Sequence, residues 1–580
     1  MAETSILSVR GGSFMFHPAG TLPQFTPEES SEEARAIAEA ARDFMNGEIL
    51  PRDEEIDRLD LELTRDLLAK AGDLGILGME VPEAYGGLDL DKKTALLVLE
   101  EMAKQASFST SYTAHTSIGT MPIVYFGSPE QKAKYLPKLA SGEWCAAYAL
   151  TEAGSGSDAL GAKATAVLQD GHWVLNGTKA WITNAGFADV FVIFAKINGS
   201  HLSAFIVEKT DPGISTGAEE KKMGIKGSST RTVILENCRI PEDRLLGGKG
   251  KGARIALGIL NVGRFKLGAS SVGAGKRVLE YTLKYAGERT QFGKPLAAFG
   301  LIQQKLANMA VRIFVGESMS FRTIGYLDDA LARTSWESET GGADKMKAID
   351  EYAVEASMSK VWGSEALFAT ADDAVQAFGG AGFSAEYPAE KIYRDCRINR
   401  IFEGTNEINR LLIAGTFLKR CGGTDGLPLA EAGTALQLPD DSLQATVALA
   451  KARALKVIAR AQAEHGPKIL DNQEAAAHIS NLLLELYAME SAVVRAGKMA
   501  ASGHRWAGLA RDLAEVYAQE AWNRVQSEAR MLAGELASGA ALDALMAELL
   551  AMHAPAPVPL SILRNRIALA LMEQGRYPIG

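Results

Sequence analysis

A mainly helical fold with one antiparallel β domain near its middle is what this sequence predicts. Three observations carry that expectation. Apolar residues recur at helical spacing before residue 144 and again after residue 252, as in EEARAIAEAARDF and ISNLLLELYAMESAVV. Short β-rich runs bounded by Gly, Asn, Asp and Pro fill the interval between. The chain, at 580 residues, is too long for one hydrophobic core.

Taken in order, residues 1–143 form a helical domain, with TRDLLAKAGDLGIL as a typical amphipathic run and the turn Val81–Gly87 (VPEAYGG) as an interruption. Residues 144–252 form the β domain. Its strands are read from HWVLNG, ADVFVIFAKI, LSAFIVEK and RTVILENCRI, whose β-branched and aromatic residues suit a pleated, half-buried surface. Residues 253–424 return to helical periodicity, broken by glycine pairs at Gly341–Gly342 and Gly379–Gly380. The stretch GTDGLPLAEAGTALQLPDDS reads as a linker, and residues 425–580 form a C-terminal helical extension rich in Ala and Leu.

Composition excludes several function classes. A formal net charge of -10 and a pI near 5.5 argue against nucleic acid, whose phosphates need a basic face. No apolar run reaches the roughly 18 residues needed to span a bilayer. The first residues show neither the apolar stretch of a signal peptide nor an Arg-rich presequence, so the expected location is cytoplasmic. Cys145, Cys238, Cys396 and Cys421 are scattered, without CxxC pairs or histidines at ligand spacing, so no metal site or disulfide framework is expected.

Four constellations can carry chemistry. In YALTEAGSGSD (Tyr148–Asp158), small residues between Glu152 and Ser157 let backbone N–H groups approach an anion closely, and Thr151 and Ser157 add hydroxyl donors. A plain turn reads the same way, and the β-rich continuation rules out a dinucleotide-binding βαβ unit. Trp181-Ile182-Thr183 places an indole beside a hydroxyl, suited to an aromatic cofactor or simply to a strand core. In IYRDCRINRIFEGTNEINR (Ile392–Arg410), Glu403 lies beside Ile401 and Phe402. An apolar flank disfavours the carboxylate and raises its pKa toward that of a general base. The other reading is a solvated glutamate at a helix start capped by Thr405 and Asn406. RTQFGKP (Arg289–Pro295) and QAFGGAGF (Gln376–Phe383) pair an arginine with a glycine turn, fitting a pyrophosphate or two helix ends.

The order VPEAYGG, YALTEAGSGSD, WIT, RTQFGKP, QAFGGAGF, FEGTNEI resembles the acyl-CoA dehydrogenase family over roughly residues 30–420. EKKMGIKGSST, ILNVGRF and the C-terminal extension are similar to its very-long-chain branch. The resemblance implies a helical domain, a β domain and a four-helix bundle holding FAD, plus the extra helical extension. Tyr148, Leu150, Thr151, Gly156, Ser157, Trp181, Ile182 and Thr183 would line the flavin. Arg289, Gln291, Gln376, Gly379 and Gly380 would bind the FAD of a neighbouring subunit, and Thr405 and Glu407 would close the flavin site. Ser157, Asn261, Arg264 and Gly404 would contact the acyl-CoA substrate.

Some family members carry their base one residue before the substrate-binding Arg. Here that position is Gly263, which leaves Glu403. Asn261 stands where the family often has Asp, and an amide can still hydrogen-bond a pantetheine arm.

The implied reaction is α,β-dehydrogenation of an acyl-CoA, with long-chain thioesters as the expected substrates, in fatty-acid β-oxidation. Glu403 takes the α-proton, flavin N5 the β-hydride, and electrons leave to an electron-transfer flavoprotein. Carbonyl activation is implied to come from the Glu403 backbone N–H and a ribityl hydroxyl of FAD. An acyl-CoA oxidase passing electrons to oxygen and a non-catalytic assembly subunit are the alternatives. A homodimer is expected, with the extension covering a surface that shorter relatives use to form tetramers. Residues 425–580 hold 14 basic and 17 acidic side chains, so at most weak membrane contact is expected.

Overall fold

The computed structural model describes residues 9–336, 341–422, 426–429, 442–552 and 555–579. The chain divides into two compact units. One comprises Ser31–Lys266 with Ala330–Asp350; the other comprises Met1–Ser30, Leu267–Asp329 and Glu351–Gly580. Among the described residues no helix is long and apolar enough to cross a membrane.

The first unit begins with helices α1 (Glu32–Phe44), α2 (Asp53–Asp57), α3 (Leu61–Asp73), α4 (Lys92–Met102), α5 (Ala106–Thr113), α6 (Met121–Phe126) and α7 (Pro129–Ala140). Their starts follow from side-chain caps. Ser31, Asp60 and Asp91 accept from the third backbone N–H beyond them, and Ser128 with Gln131 closes a capping box ahead of Pro129. The turn expected at Val81–Gly87 is present, with Glu83–Tyr85 as one 3₁₀ turn.

Strands β1 (Ala146–Ala149), β2 (Thr165–Gln169), β3 (His172–Thr183), β4 (Val190–Ile197), β5 (His201–Glu208), β6 (Ile214–Glu219), β7 (Thr230–Pro241) and β8 (Leu245–Leu246) form an eight-stranded sheet. Its order is β6-β7-β3-β2-β4-β5-β8, with β1 on β4. The expectation of a purely antiparallel sheet needs one correction. Most pairs are antiparallel, but β4 pairs parallel with both β1 and β2. The run from β1 to β4 and the β3 hairpin inserted between β2 and β4 provide crossovers long enough for that geometry.

A buried carboxylate ties the helices of this unit to the start of the next long helix. Glu80 Oε1 lies 2.6 Å from Lys92 Nζ, and Oε2 is hydrogen-bonded to Lys266. Burial alone would raise the pKa of Glu80, but the two ammonium groups overcome it and hold it near 2.

Helix α8 (Gly252–Glu288) starts in the first unit and continues into the second. The hairpin β9–β10 (Thr290–Gln291, Lys294–Pro295) follows, then α9 (Gly300–Leu331), α10 (Gly341–Glu351), α11 (Ala353–Phe378), α12 (Pro388–Cys396) and α13 (Asn406–Cys421). The extension adds α14 (Leu443–His465), α15 (Gln473–Ala501), α16 (Ala507–Leu536), α17 (Gly539–Leu550) and α18 (Leu560–Gln574). In the second unit α8 and α11 meet backbone to backbone: a Cβ on Gly363 would lie 3.1 Å from the Gly268 Cα.

One hydrophobic core runs through this whole unit. It joins Phe14 and Met15 near the N-terminus, Phe314, Met358 and Phe417 of the bundle, Leu483, Tyr487 and Trp522 of the extension, and Ile579 at the end. Charges are buried inside it. Glu490 pairs with Arg322 at 2.9 Å and with Lys451 at 2.8 Å, and Arg495 pairs with Glu317 at 2.6 Å. Lys451 Nζ also donates to the Phe14 and His17 carbonyls, and Gly12 N–H donates to Glu355.

Two outcomes follow. Glu490→Gln leaves two buried cations facing a neutral amide and is expected to destabilise the protein by about 3–5 kcal/mol, read as a lower urea midpoint at unchanged slope. Because the pKa of Glu80 is depressed in the folded state, its stabilisation is complete above 4.5 and is lost as pH falls toward about 2. The urea midpoints of wild type and Glu80→Gln, measured across that window, should converge; a constant gap would contradict the pairing.

Candidate active site

In the first unit, β1 delivers the chain into the loop Leu150–Asp158. Glu152 holds this loop from within. Its carboxylate accepts from the Lys163 and Ala164 N–H groups at 2.7 and 3.0 Å and pairs with the buried Lys179 at 2.7 Å. Lys179 Nζ also donates to the Leu150 carbonyl. A small bridge between Glu152 and Ser155 then turns the backbone outward. Gly156 and Ser157 are exposed, and a Cβ on Gly154 or Gly156 would meet nothing within 4 Å. The tip is thus an open lip on a rigid base. Tyr148 and Leu150 are buried behind it, the Tyr148 ring edge-on to Phe194.

The end of β3 supplies a second feature. The register between β3 and β7 slips between Lys179 and Ile182, where the strand gains one residue and bulges. Trp181 sits in the bulge with φ 62° and is 58% exposed. A left-handed tryptophan costs roughly 1–2 kcal/mol. The bulge also reverses the alternation of faces, so Ile182 joins the sheet core and offers a ligand only its backbone. Thr183 is half-buried. Asn184, also left-handed, locks the exit by donating to the Ser111 carbonyl.

Asn261 and Arg264 lie one turn apart on α8, both buried. Arg264 Nη1 donates to the Asn261 side-chain oxygen at 2.8 Å, while Asn261 Nδ2 donates to Asp350 at 2.9 Å. Both ends of the amide are engaged within the unit. Burial raises the pKa of Asp350, partly offset by that amide.

In the second unit, Glu403 precedes α13 in a backbone conformation rare for a non-glycine residue. It has φ 57°, and Gly404 follows with φ 80°. The turn is held by its carbonyls. Asn409 Nδ2 donates to the oxygens of Glu403, Gly404 and Thr405, the shortest at 2.8 Å. Lys360, fully buried on α11, donates to the Gly404 carbonyl and to Asn406, both at 2.7 Å. Thr405 caps α13 by accepting from the Ile408 N–H. Asn406 is buried inside the first turn, where it donates to Ser364 and Glu365. Glu407 is exposed; hydrogen bonding at the helix N-terminus holds its carboxyl below the ordinary range. Glu403 is half-buried, aimed by a turn that the bundle fixes.

The remaining predicted residues cluster at another end of this unit. Tyr285 near the end of α8 stacks on Phe378 at the end of α11, ring centroids 4.1 Å apart. This brings Arg289 and Gln291 of the β9 hairpin toward Gln376, Gly379 and Gly380. All five are exposed, and neither glycine has an atom within 4 Å of its would-be Cβ. Phe292 and Phe383 beside them are 93% and 89% exposed.

Sequence reasoning missed Lys360, Asn409, Asp350 and the Glu152–Lys179 staple. A lysine inside the apolar run of α11 was the available signal for Lys360, since lysine is rarely buried unless paired. Asp350 gave none, because only folding brings it to Asn261.

The geometry agrees with comparisons to known proteins. Family models for the N-terminal, middle and C-terminal acyl-CoA dehydrogenase domains match residues 31–143, 147–238 and 250–418, and a further C-terminal domain model matches 449–550. A probable acyl-CoA dehydrogenase of Bacillus subtilis is 44% identical over all of both chains. The human very long-chain specific acyl-CoA dehydrogenase is 35% identical over 78% of this chain and 73% of its own. A crystal structure of an acyl-CoA dehydrogenase complexed with FAD from Bacillus anthracis is 45% identical, covers 98% of this chain and 100% of that one, and superposes with a TM-score of 0.95. With open glycine turns, an exposed strained tryptophan and a buttressed Glu403 on matching domains throughout, this chain belongs to the acyl-CoA dehydrogenase family.

Proposed function

We propose that the chain oxidises long-chain acyl-CoA to trans-2-enoyl-CoA in fatty-acid β-oxidation, with Glu403 as the base. The observation that carries this reading is the Glu403 turn. A left-handed glutamate persists only where its surroundings over-determine it, and here a buried lysine and an asparagine hold three successive carbonyls to do so. A solvated helix-start glutamate would need none of that apparatus. Gly263 at the other position used within the family has no proton acceptor.

The residues fit FAD. An isoalloxazine ring suits the exposed face of Trp181 and the hydroxyls of Thr151 and Thr183, and a pyrophosphate suits exposed N–H groups at glycine turns and the Arg289 guanidinium. When bound, FAD supplies the two-electron acceptor for the β-hydride. The chain's own residues do the remainder. The Glu403 carboxylate takes the α-proton, while its backbone N–H donates to the thioester oxygen, where negative charge develops. Gly404 leaves room beside the base, and Arg264 with Asn261 and Ser157 holds the CoA arm. Electrons pass on to an electron-transfer flavoprotein. The long-chain reading rests on the C-terminal extension and on the likeness to the human very long-chain specific acyl-CoA dehydrogenase, 35% identical over 78% of this chain.

Arg289, Gln291, Gln376, Gly379 and Gly380 are proposed to serve the cofactor of a second subunit in a homodimer. Phe292 and Phe383 support this, since aromatics so exposed mark an interface.

Glu403→Gln should retain FAD and bind acyl-CoA yet lose anaerobic flavin bleaching by more than the roughly 10²–10⁴ typical of one general base. Near-normal bleaching would remove Glu403 from the reaction. For assembly, Phe292→Asp with Phe383→Asp should yield a monomer by light scattering, with flavin occupancy lost in parallel. A monomer that keeps its full flavin would sink the shared site. Turnover from butyryl- to palmitoyl-CoA should rise with chain length.

A further inference from the structure

The extension contains a cavity of about 600 Å³ between α14, α16 and α17, within the roughly 300–1,000 Å³ range of small-molecule sites. Its two long walls differ in chemistry. Asn523, Ser527 and Arg530 of α16 recur at helical spacing and line one side with polar groups. Leu542, Met546 and Leu549 of α17 recur likewise and line the other with hydrocarbon.

Arg453 of α14 also lines the cavity and is 5% exposed. Its Nη2 donates to the Leu549 and Met552 carbonyls, and its guanidinium lies over Trp522 at 4.7 Å. Two carbonyls and a ring do not neutralise a full charge. Burial lowers the pKa of Arg453, and no carboxylate among the described residues offsets it. The Nε–H is buried and lacks a hydrogen-bond partner among the described residues. Arg322, Lys451 and Arg495, also deeply buried in this unit, each face a carboxylate, while buried Lys360 spends its donors on the Gly404 carbonyl and Asn406. Proteins rarely bury a guanidinium without an anion.

We propose that this cavity binds a single-chain fatty carboxylate, its anionic head at Arg453 and its alkyl chain along Leu542, Met546 and Leu549. The buried Arg453 and the exposed Arg530 on the polar wall, with Asn523 and Ser527 beside it, match an anionic head group. The slot between one polar and one apolar helix face matches a head joined to a flexible chain. The site lies wholly within the extension and takes no part in the redox step, so binding is read without turnover.

Titration calorimetry of the full-length holoenzyme with dodecanoate below its micellar range tests this. We expect one dodecanoate per chain, with dodecanol bound at least tenfold more weakly. Arg453→Met and Met546→Trp should each weaken dodecanoate at least tenfold. Met546→Trp fills the space while keeping every Arg453 contact, so it carries the test if Arg453→Met folds poorly. Equal binding of dodecanol, or dodecanoate binding insensitive to Met546→Trp, overturns the proposal. So does co-sedimentation with phosphatidylglycerol vesicles without dodecanoate binding, which would assign this face to a membrane surface instead.

Discussion

The larger unit depends on charges buried in its core. Arg322, Lys451 and Arg495 are almost wholly withdrawn from water, and each is matched by Glu490 or Glu317. Such pairs give little net stability, because desolvation consumes most of the attraction. What they supply is register. Lys451 also holds the Phe14 and His17 carbonyls, and Arg495 also holds Glu28, so the segment from Phe14 to Glu28 is pinned to the core at both ends. The bundle, the N-terminal segment and the extension therefore share one core.

The same rigidity fixes the position of Glu403. A glutamate with positive φ has an unfavourable backbone, and it stays there because Lys360 and Asn409 claim the carbonyls that the turn exposes. Lys360 comes from α11, which packs against α8 through facing glycines, while Arg410 on α13 is tied to Glu365 and Asn481. The direction of one carboxylate is thus set by three helices.

The first unit applies the same logic to backbone donors. Gly154 and Gly156 stay open because Glu152 and Lys179 hold the base of their loop, and Trp181 stays exposed because a bulge turns it out while Ile182 anchors the strand. In both units strain sits beside a buried polar staple, as expected where function requires a conformation that local propensity disfavours.

By itself the sequence determined the helical and β segments, because periods of 3.6 and 2 are local properties of the chain, and it marked Glu403, Trp181 and the glycine turns through their order along it. It did not determine that β4 pairs parallel with β1 and β2, nor that Ile182 faces the core, because strand partners and bulges depend on contacts between distant segments. Asn409 and Asp350 were likewise invisible, and Lys360 left only the trace of a lysine in an apolar run. Each acts through a hydrogen bond whose partner only the folded backbone brings near, 89 residues away in the case of Asn261 and Asp350. Arg453 shows the same limit: a charge on a helix reads as solvated until the tertiary structure buries it with no carboxylate among the described residues to face.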